Sequence, residues 1–284
     1  MGMQTAFSAT PPYEAADIMG GLYGDGFITC KGAFSRAWAK QLGEDVAVLF
    51  DEARHQPGGA LERGPNRYYV EIHPERLRGF LDIVTHPWFC AVCASVLGPD
   101  YKIVEVGFDV PGPGAMHQPW HRDFAAPEAT LRARRLDSLA FNLTTVDVTE
   151  AMGPLEIAPG TQWDSLAGGD PMFPDRSLWP RYEARRQRKA PRMGDMSARS
   201  ALTIHRGTAN TSQQARPVLV VGVDAPGAVN AARHDLQLSE AFAATVPEDV
   251  VRHLDQRTVA RLEPIVQEHT IAGLLQGMAQ PVAA

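Results

Sequence analysis

Hydrophobic and polar positions divide the chain into three parts, and the first, residues 1–100, has mainly helical spacing. In "SRAWAKQLGEDVAVLFDEARHQPGG", apolar residues recur at helical intervals, Ser35 is a candidate N-cap and a Gly-Gly pair ends the pattern. "PERLRGFLDIVTHPWFCAVCASVLG" predicts two more helical stretches, with a break near His86 and Pro87. "FITC", between turn residues, predicts a short strand. We therefore expect a mostly helical N-terminal part.

From residue 101 the pattern changes to short runs rich in Val, Ile, Phe and Thr. The runs are "YKIVEVGFDV", "SLAFNLTTVDV", "GPLEIAPGT", "SALTIHRG" and "ARPVLVVGVDA", and they are typical of strands in a sandwich or barrel. Helical spacing returns over about 235–280. Because no repeat or low-complexity linker divides the chain, we predict one α+β domain over residues 1–284. Its β-barrel or jelly-roll core spans about 101–230, between N-terminal and C-terminal helices.

Composition and charge limit the classes of function. Hydrophobic residues make up 44% and charged residues 21% of the 284 residues, as in ordinary globular proteins. The net charge of −6 argues against a general nucleic-acid binder, which needs a basic surface. No apolar run reaches the length of a membrane helix, and the first residues lack a signal-peptide pattern. We therefore predict a cytoplasmic protein that binds neither nucleic acid nor membrane.

Cys90 and Cys93 form a C-x-x-C arrangement in "HPWFCAVCASVLG", and Cys30 is the third cysteine. A redox or zinc site would have polar flanks or a second Cys or His pair at ligand spacing. The flanks here are apolar, so we predict a buried helix in which free cysteine acts as a small hydrophobic residue.

The segment "MHQPWHRDFAAP" contains the strongest candidate for chemistry. His121 and Asp123 form an H-x-D pair, and on a strand two such residues point to the same face and can bind one ion. His205, at the end of "SALTIHRG", is a candidate third ligand. Two histidines and a carboxylate on a β-scaffold form the facial triad of non-haem Fe(II) oxygenases, with three metal positions open. We interpret His117 as a pocket or turn residue.

A second H-x-D pair, His253 and Asp255, lies in "VPEDVVRHLDQRTVARL", which has helical spacing. Residues two apart on a helix do not face each other, so this pair is not expected to bind one ion. We interpret it as part of a solvated helix face.

Arg216 lies at the start of the run "ARPVLVVGV", eleven residues beyond His205. A 2-oxo acid that chelates iron through its keto and carboxylate oxygens also has a far carboxylate. A guanidinium binds such a group with two parallel hydrogen bonds. Arg216 therefore indicates a 2-oxo acid cosubstrate.

Three segments, "QPWHRDF", "VDVTEAMGPLEIAPGTQW" and "HRGTANTSQQARP" in that order, resemble the phytanoyl-CoA dioxygenase family of Fe(II)- and 2-oxoglutarate-dependent oxygenases. The resemblance runs from about "GDGFITCKGAFS" to about "VLVVGVDA" and leaves out the final segment. It implies a double-stranded β-helix, or jelly-roll, of cupin-like form. It also implies His121, Asp123 and His205 as catalytic iron ligands, Arg216 as the 2-oxoglutarate anchor, and O₂ as a further cosubstrate.

Two positions depart from the pattern of that family. Many members carry a Ser two residues after the distal His, as a second contact to the far carboxylate, where this chain has Gly207 and then Thr208. Thr208, Asn142, Thr144 and Gln118 are candidate replacements. Many members also end the proline-glycine turn in Ser-His, where this chain has "TQW".

Candidate substrate contacts lie beside the triad and upstream of it. Trp120 and Phe124 flank the metal pair, either as pocket lining or as core residues. Arg67 and Tyr69 in "GPNRYYVE" are candidate substrate contacts, with an ordinary strand as the alternative. The basic segment "RYEARRQRKAPR" is either a lid that recruits an acidic substrate or, as we favour, a solvated helix face.

The resemblance implies that the protein oxidises a C–H bond in a small organic molecule and decarboxylates 2-oxoglutarate to succinate and CO₂. Halogenating relatives replace the carboxylate ligand by a small residue, so Asp123 makes hydroxylation or a related hydrogen abstraction the default. Desaturation, epimerisation and ring formation stay open, as does the substrate. Two other classes also stay open: a metal-dependent hydrolase or isomerase on a cupin-like barrel, which has no need of Arg216, and a catalytically silent binding protein. For the C-terminal helices we slightly favour a homodimer contact over a cover for the barrel.

Overall fold

The computed structural model describes residues 6–7, 13–125, 127–167, 170–228 and 234–267. The α-helices are α1 (Ala15–Gly24), α2 (Arg36–His55), α3 (Phe80–Val84), α4 (Pro87–Leu97), α5 (Glu128–Ala133), α6 (Trp179–Arg185), α7 (Glu240–Ala243) and α8 (Glu248–Val251). Short 3-10 helices span Pro74–Arg76, Glu150–Met152 and Arg176–Leu178. The strands are β1 (Ala6–Phe7), β2 (Phe27–Cys30), β3 (Leu61–Glu62), β4 (Arg67–Glu71), β5 (Lys102–Pro111), β6 (Ser138–Thr144), β7 (Leu155–Ile157), β8 (Gln187–Lys189), β9 (Met196–Ser200), β10 (His205–Gly207), β11 (Val218–Asp224), β12 (Gln237–Ser239) and β13 (Arg257–Val259).

The strands of the described residues form two sheets that matter for the site. The main sheet has the order β1-β2-β9-β6-β11-β5-β4-β3, and a smaller sheet has the order β10-β7-β8. All neighbours in these two sheets are antiparallel except β1 and β2. The fold is therefore a mixture of helices and antiparallel sheet.

The main sheet also takes strands from the first hundred residues. The predicted strand "FITC" is β2, which pairs with β9, and "RYYVE" is β4, which pairs with β5. The N-terminal part is thus less purely helical than its spacing predicts, because β-rich segments lie between its helices.

The helices of the N-terminal part follow local signals. α2 begins after Ser35, whose Oγ accepts a hydrogen bond from the backbone N–H of Trp38 at 3.2 Å. α4 contains both cysteines of the C-x-x-C arrangement. Cys93 is buried in the hydrophobic core and Cys90 is half-buried, and burial raises the pKa of both thiols. Neither thiol is therefore poised as a thiolate.

The C-terminal part differs from the predicted continuous helices. Within residues 234–267 the structure has only the four-residue helices α7 and α8, and β12 pairs with β13 in parallel. Pro247 lies between the two helices, where a longer helix would need a backbone N–H. The rest of the predicted helices, from 268 to about 280, lies outside the described residues, so the dimer contact stays a prediction. No helix in the part of the chain that the structure describes is long and apolar enough to cross a membrane.

Candidate metal centre and adjoining cavity

Strand alternation gives the main sheet one apolar face and one face with polar or small side chains. In β5, Val106 and Phe108 pack in the hydrophobic core, whereas Glu105 and Asp109 face a cavity of about 340 Å³. Asn142 on β6 faces the same cavity. Its volume lies in the range of small-molecule sites.

The three predicted metal ligands meet at one wall of this cavity. The backbone N–H groups of His121 and His205 each donate to the other residue's carbonyl at 3.0 Å, which joins the two histidines in an isolated antiparallel bridge. The N–H of Asp123 donates to the carbonyl of Ala201 at 3.0 Å. One candidate ligand atom from each of the three residues lies within 4.8 Å of the others. Among the described residues, this is the sole group of that kind.

Backbone carbonyls orient both imidazoles. Nδ1 of His121 lies 2.8 Å from the carbonyl oxygen of Pro119, and Nδ1 of His205 lies 2.9 Å from that of Thr203. A carbonyl can only accept, so the contact with Pro119 places the proton of His121 on Nδ1 and leaves Nε2 as a lone-pair donor for a metal. Nδ1 of His205 also lies 3.2 Å from Nη1 of Arg199. Burial, followed by the charge of His205, lowers the pKa of His121 well below its ordinary value. The imidazole of His121 is therefore neutral at physiological pH.

Arg199 on β9 holds the carboxylate of Asp123. Its Nη1 lies 2.8 Å from Oδ2 of Asp123, and Oδ1 lies 3.2 Å from Nε2 of His205. Burial alone would raise the pKa of Asp123, but the charges of Arg199 and His205 outweigh it and hold the pKa well below its ordinary value. One carboxylate oxygen is thus fixed by an arginine, and the other lies beside the histidine ligand.

Sequence reasoning missed Arg199. The available signal was an arginine on a strand six residues before His205. Side chains alternate along a strand, and on β9 this places Arg199 on the cavity face of the sheet, with Ala201 two residues further on.

Arg216 lines the same cavity as the triad and is buried, as an anchor for a carboxylate would be. Its Nε donates to the carbonyl of Met152 at 3.3 Å. Burial, then the neighbouring charge of Arg67, lowers the pKa of Arg216 to about 10, against the opposing effect of Asp109. The guanidinium is therefore still charged at neutral pH.

Comparison with known protein families identifies the family of this chain. The family model of phytanoyl-CoA dioxygenase (PhyH) matches residues 22–218, more than half of the chain. The chain belongs to the phytanoyl-CoA dioxygenase family. The match includes all three triad residues and Arg216. No curated protein matches the chain.

Solved structures share the fold. The non-haem alpha-ketoglutarate-dependent carbocyclase SnoK from nogalamycin biosynthesis is 18% identical, with a TM-score of 0.59 over 76% of this chain and 87% of SnoK. The epimerase SnoN, solved with Fe³⁺, alpha-ketoglutarate and nogalamycin RO, is 18% identical, with a TM-score of 0.58 over 74% of this chain and 83% of SnoN. EctD from S. alaskensis, solved with 2-oxoglutarate and 5-hydroxyectoine, is 16% identical, with a TM-score of 0.59 over 75% of this chain and 76% of EctD. At these identities the likeness concerns the fold.

The candidate replacements for the serine found in many members of the PhyH family divide into two groups. Gln118, Asn142 and Thr144 line the cavity. Oε1 of Gln118 already accepts a hydrogen bond from the N–H of Gly207 at 2.8 Å. Thr208 is not among the lining residues, because its hydroxyl is buried and donates to the carbonyl of Pro154 at 2.6 Å. The structure therefore does not support the predicted role of Thr208.

The candidate substrate residues divide in the same way. Arg67 and Tyr69 lie on one face of β4 and line the cavity, and the hydroxyl of Tyr69 donates to Glu105. Trp120 and Phe124 do not line it. Trp120 packs with Arg206, whose guanidinium carbon lies 4.4 Å from a ring centroid, and Phe124 packs in a small core cluster. Because His121 and Asp123 point into the cavity, alternation directs these two aromatic residues away from it.

Ion pairs hold the basic segment "RYEARRQRKAPR" against the rest of the protein, so it is not a free lid. Arg188 donates to Glu156 at 2.8 Å, and Arg186 lies 3.3 Å from the same fully buried carboxylate. The segment comprises the end of α6 and all of β8, so it is not one solvated helix face. Lys189 reaches the cavity, and burial lowers its pKa to about 8.

Proposed function

We propose that this protein is an Fe(II)- and 2-oxoglutarate-dependent dioxygenase that oxidises a C–H bond in a small organic molecule. The observation that carries the proposal is that the His-Asp-His group and the buried, charged Arg216 line one cavity. A hydrolase or isomerase that used the same three ligands would have no use for a guanidinium at that place. The alternative of a silent binding protein is disfavoured because the ligand set is complete.

His121, Asp123 and His205 are residue types that can bind Fe(II). His121 and His205 would bind it through Nε2, since each Nδ1 is engaged by a carbonyl, and Asp123 would bind it through a carboxylate oxygen. Bound Fe(II), with 2-oxoglutarate and O₂, supplies the oxidising power for the C–H chemistry.

The other residues of the site position the metal ligands and the cosubstrate, and shield them from water. Arg199 fixes the Asp123 carboxylate, and Arg216 binds the far carboxylate of 2-oxoglutarate with charge-assisted hydrogen bonds. Gln118 and Asn142 are proposed cosubstrate contacts because both line the cavity. Burial of the two arginines and the histidines keeps water from competing for these groups.

The two facing sheets are proposed to form the double-stranded β-helix of this family. The backbone bridge between His121 and His205 supports this, because it joins the segment after β5 to β10 of the smaller sheet. The likeness to SnoK and EctD supports it as well.

Hydroxylation is the proposed default outcome, and Asp123 supports it because it leaves no room for a halide ligand. SnoK is a carbocyclase and SnoN is an epimerase, so the same fold hosts several outcomes. The proposal for this chain therefore names a small organic substrate and C–H oxidation as the class of reaction.

Thermal unfolding with added ligands tests the proposal. A ligand that binds only the folded state raises the melting temperature by mass action. We expect 2-oxoglutarate to raise the Tm of the protein loaded with Mn(II), a redox-stable substitute, and to leave the Tm of His205→Ala unchanged. A rise with Zn(II) and no response to 2-oxoglutarate under any metal would favour the hydrolase or isomerase.

A further inference from the structure

Gly207 is the position at which many members of the family carry a serine, and in this structure the space beside it is filled. A Cβ added at residue 207 would lie 2.6 Å from Nη1 and 2.8 Å from Nη2 of Arg67. It would also lie 2.7 Å from Oε1 of Gln118. Real Cβ atoms do not approach other atoms this closely. The guanidinium of Arg67 thus occupies the place that a larger residue would need.

Arg67 is held rigidly in this position. It is 1% exposed, Nη1 donates to Oδ2 of Asp109 at 2.9 Å, and Nη2 donates to the carbonyl of Thr208 at 3.1 Å. A guanidinium has five N–H donors, and Nε of Arg67 is buried with no partner among the described residues. Donors of this fixed group therefore remain for a ligand in the cavity that Arg67 lines.

Arg67 and Arg216 flank the same end of β5. Arg67 is the register partner of Pro111, and the N–H of Arg216 donates to the carbonyl of Pro111 at 3.1 Å. The two guanidiniums are close enough for the charge of Arg67 to lower the pKa of Arg216. Asp109 offsets one of the two positive charges. An excess of one positive charge is left at this end of the cavity, where an anionic group would be favoured.

We propose that Arg67 provides the second contact to the far carboxylate of 2-oxoglutarate, beside Arg216, in the space left by the absence of a side chain at Gly207. The inference rests on the proposed function. It reassigns Arg67 from a substrate contact to a cosubstrate contact. It also explains the departure at residue 207, because a serine and the Arg67 guanidinium cannot occupy the same space.

The reciprocal relation between the two residues can be tested by calorimetric binding of 2-oxoglutarate to the Mn(II)-loaded protein, a readout that does not depend on turnover. Arg67→Ala and Gly207→Ser are each expected to weaken binding by about tenfold or more, the first by loss of a charge-assisted pair and the second by displacement of the guanidinium. The double variant Arg67→Ala/Gly207→Ser removes both guanidinium contacts of the added Cβ and leaves only Oε1 of Gln118, the end of a flexible side chain, to shift. It should bind more tightly than Arg67→Ala alone. Arg67→Lys, which keeps the charge and loses the planar fork, replaces Arg67→Ala if the latter does not fold.

Two controls make the outcome specific. Gly20→Ser changes an exposed helical glycine with nothing within 4 Å of an added Cβ, and should bind as wild type does. Pyruvate has the chelating 2-oxo acid group without the far carboxylate, so Arg67→Ala should change its affinity by less than about twofold.

Four results would overturn the inference. Arg67→Ala binding within twofold of wild type, while Arg216→Ala loses affinity, would leave Arg216 as the anchor without Arg67 and would leave the proposed function standing. An equal loss for pyruvate would remove the contact of Arg67 with the far carboxylate. A double variant no tighter than Arg67→Ala would remove the shared position at residue 207. No binding of 2-oxoglutarate to wild type would remove the proposed function and this inference with it.

Discussion

The chain contains the sequence H-x-D twice, and the two copies have different environments. His121 and Asp123 follow β5, point into the cavity and meet His205 within 4.8 Å. His253 and Asp255 follow α8 instead. The ring of His253 is buried and stacks on Tyr101, with centroids 3.8 Å apart, and Asp255 is exposed. The same three-residue pattern thus forms a candidate ligand pair in one place and a packing contact in the other.

The difference arises from the backbone and not from the side chains. At residues 121–123 the backbone bonds to the segment before and at β10, His121 to His205 and Asp123 to Ala201, and both side chains line the cavity. At residues 253–255 the backbone leaves a helix, Nδ1 of His253 lies 2.9 Å from the carbonyl of Tyr101, and no third ligand is near among the described residues. His253 is therefore not on the solvated helix face that its spacing predicts.

The largest expected effect separates the two copies directly. His121→Ala or Asp123→Ala removes one of three ligands and should weaken metal binding by more than the roughly 10- to 100-fold that loss of an outer-shell partner costs. His253→Ala should keep the metal content of wild type. Metal analysis after reconstitution with Fe(II) and gel filtration measures this. Equal losses in all three variants would contradict the contrast between the copies.

The next prediction concerns Arg216, which lies beside the first H-x-D copy and not beside the second. Arg216→Ala should weaken 2-oxoglutarate binding by more than about hundredfold, because two charge-assisted hydrogen bonds are lost. Metal content should stay unchanged, since Arg216 is not a ligand. Calorimetry and metal analysis on the same preparation check both parts. A loss of metal together with the cosubstrate would show that Arg216 supports the ligands instead.

A further prediction concerns Arg199, because it contacts the carboxylate of Asp123 in the first copy and not that of Asp255 in the second. Arg199→Gln should weaken metal binding by about tenfold to a hundredfold, the usual cost of an outer-shell partner. It should also shift the pH dependence. Asp123 has a lowered pKa, so wild type keeps an ionised ligand as the pH falls until that low pKa is reached. Without Arg199 the pKa rises, and metal should be lost at a higher pH.

A metal titration at several pH values below neutrality measures the shift for Arg199→Gln. Arg36→Gln is a control, because its partner Asp147 lies on the exposed surface. Identical pH profiles for wild type and Arg199→Gln would show that the ion pair does not tune the ligand.

The smallest expected effects are on the stability of the protein, and they come from substitutions of His253 and Asp255 in the second copy. His253→Ala removes a buried stacked ring and its hydrogen bond, and should lower the free energy of unfolding by about 1–3 kcal/mol. Asp255→Ala changes an exposed side chain and should stay within about 0.5 kcal/mol of wild type. Chemical denaturation measures both. A larger loss for Asp255→Ala than for His253→Ala would contradict the packing role of the histidine.

The parts of the fold and site that sequence could predict are those set by local rules or by order along the chain. Ser35 caps α2 because its oxygen is one turn from an unpaired N–H, and the triad follows from strand alternation plus one distal histidine. The same alternation predicts that the side chains of Trp120 and Phe124 point away from the cavity.

The parts that sequence could not predict depend on approach between distant segments. Arg67 meets Gly207 across 140 residues of chain, and nothing near either residue indicates the contact. Thr208 lies in the right stretch, but its hydroxyl is taken by Pro154. His253 is buried because Tyr101, directly before β5, covers it. Each of these outcomes is decided by tertiary packing, which overrides local spacing.

We expect the first H-x-D copy, together with His205, to hold an iron that 2-oxoglutarate can chelate. The most direct test of this expectation is an anaerobic titration of the apoprotein with Fe(II) and then 2-oxoglutarate, followed through the visible charge-transfer band of a chelated 2-oxo acid. We predict the band in wild type and in His253→Ala, and its absence in His205→Ala. Iron bound by wild type without the band, or a band that persists in His205→Ala, would contradict the account.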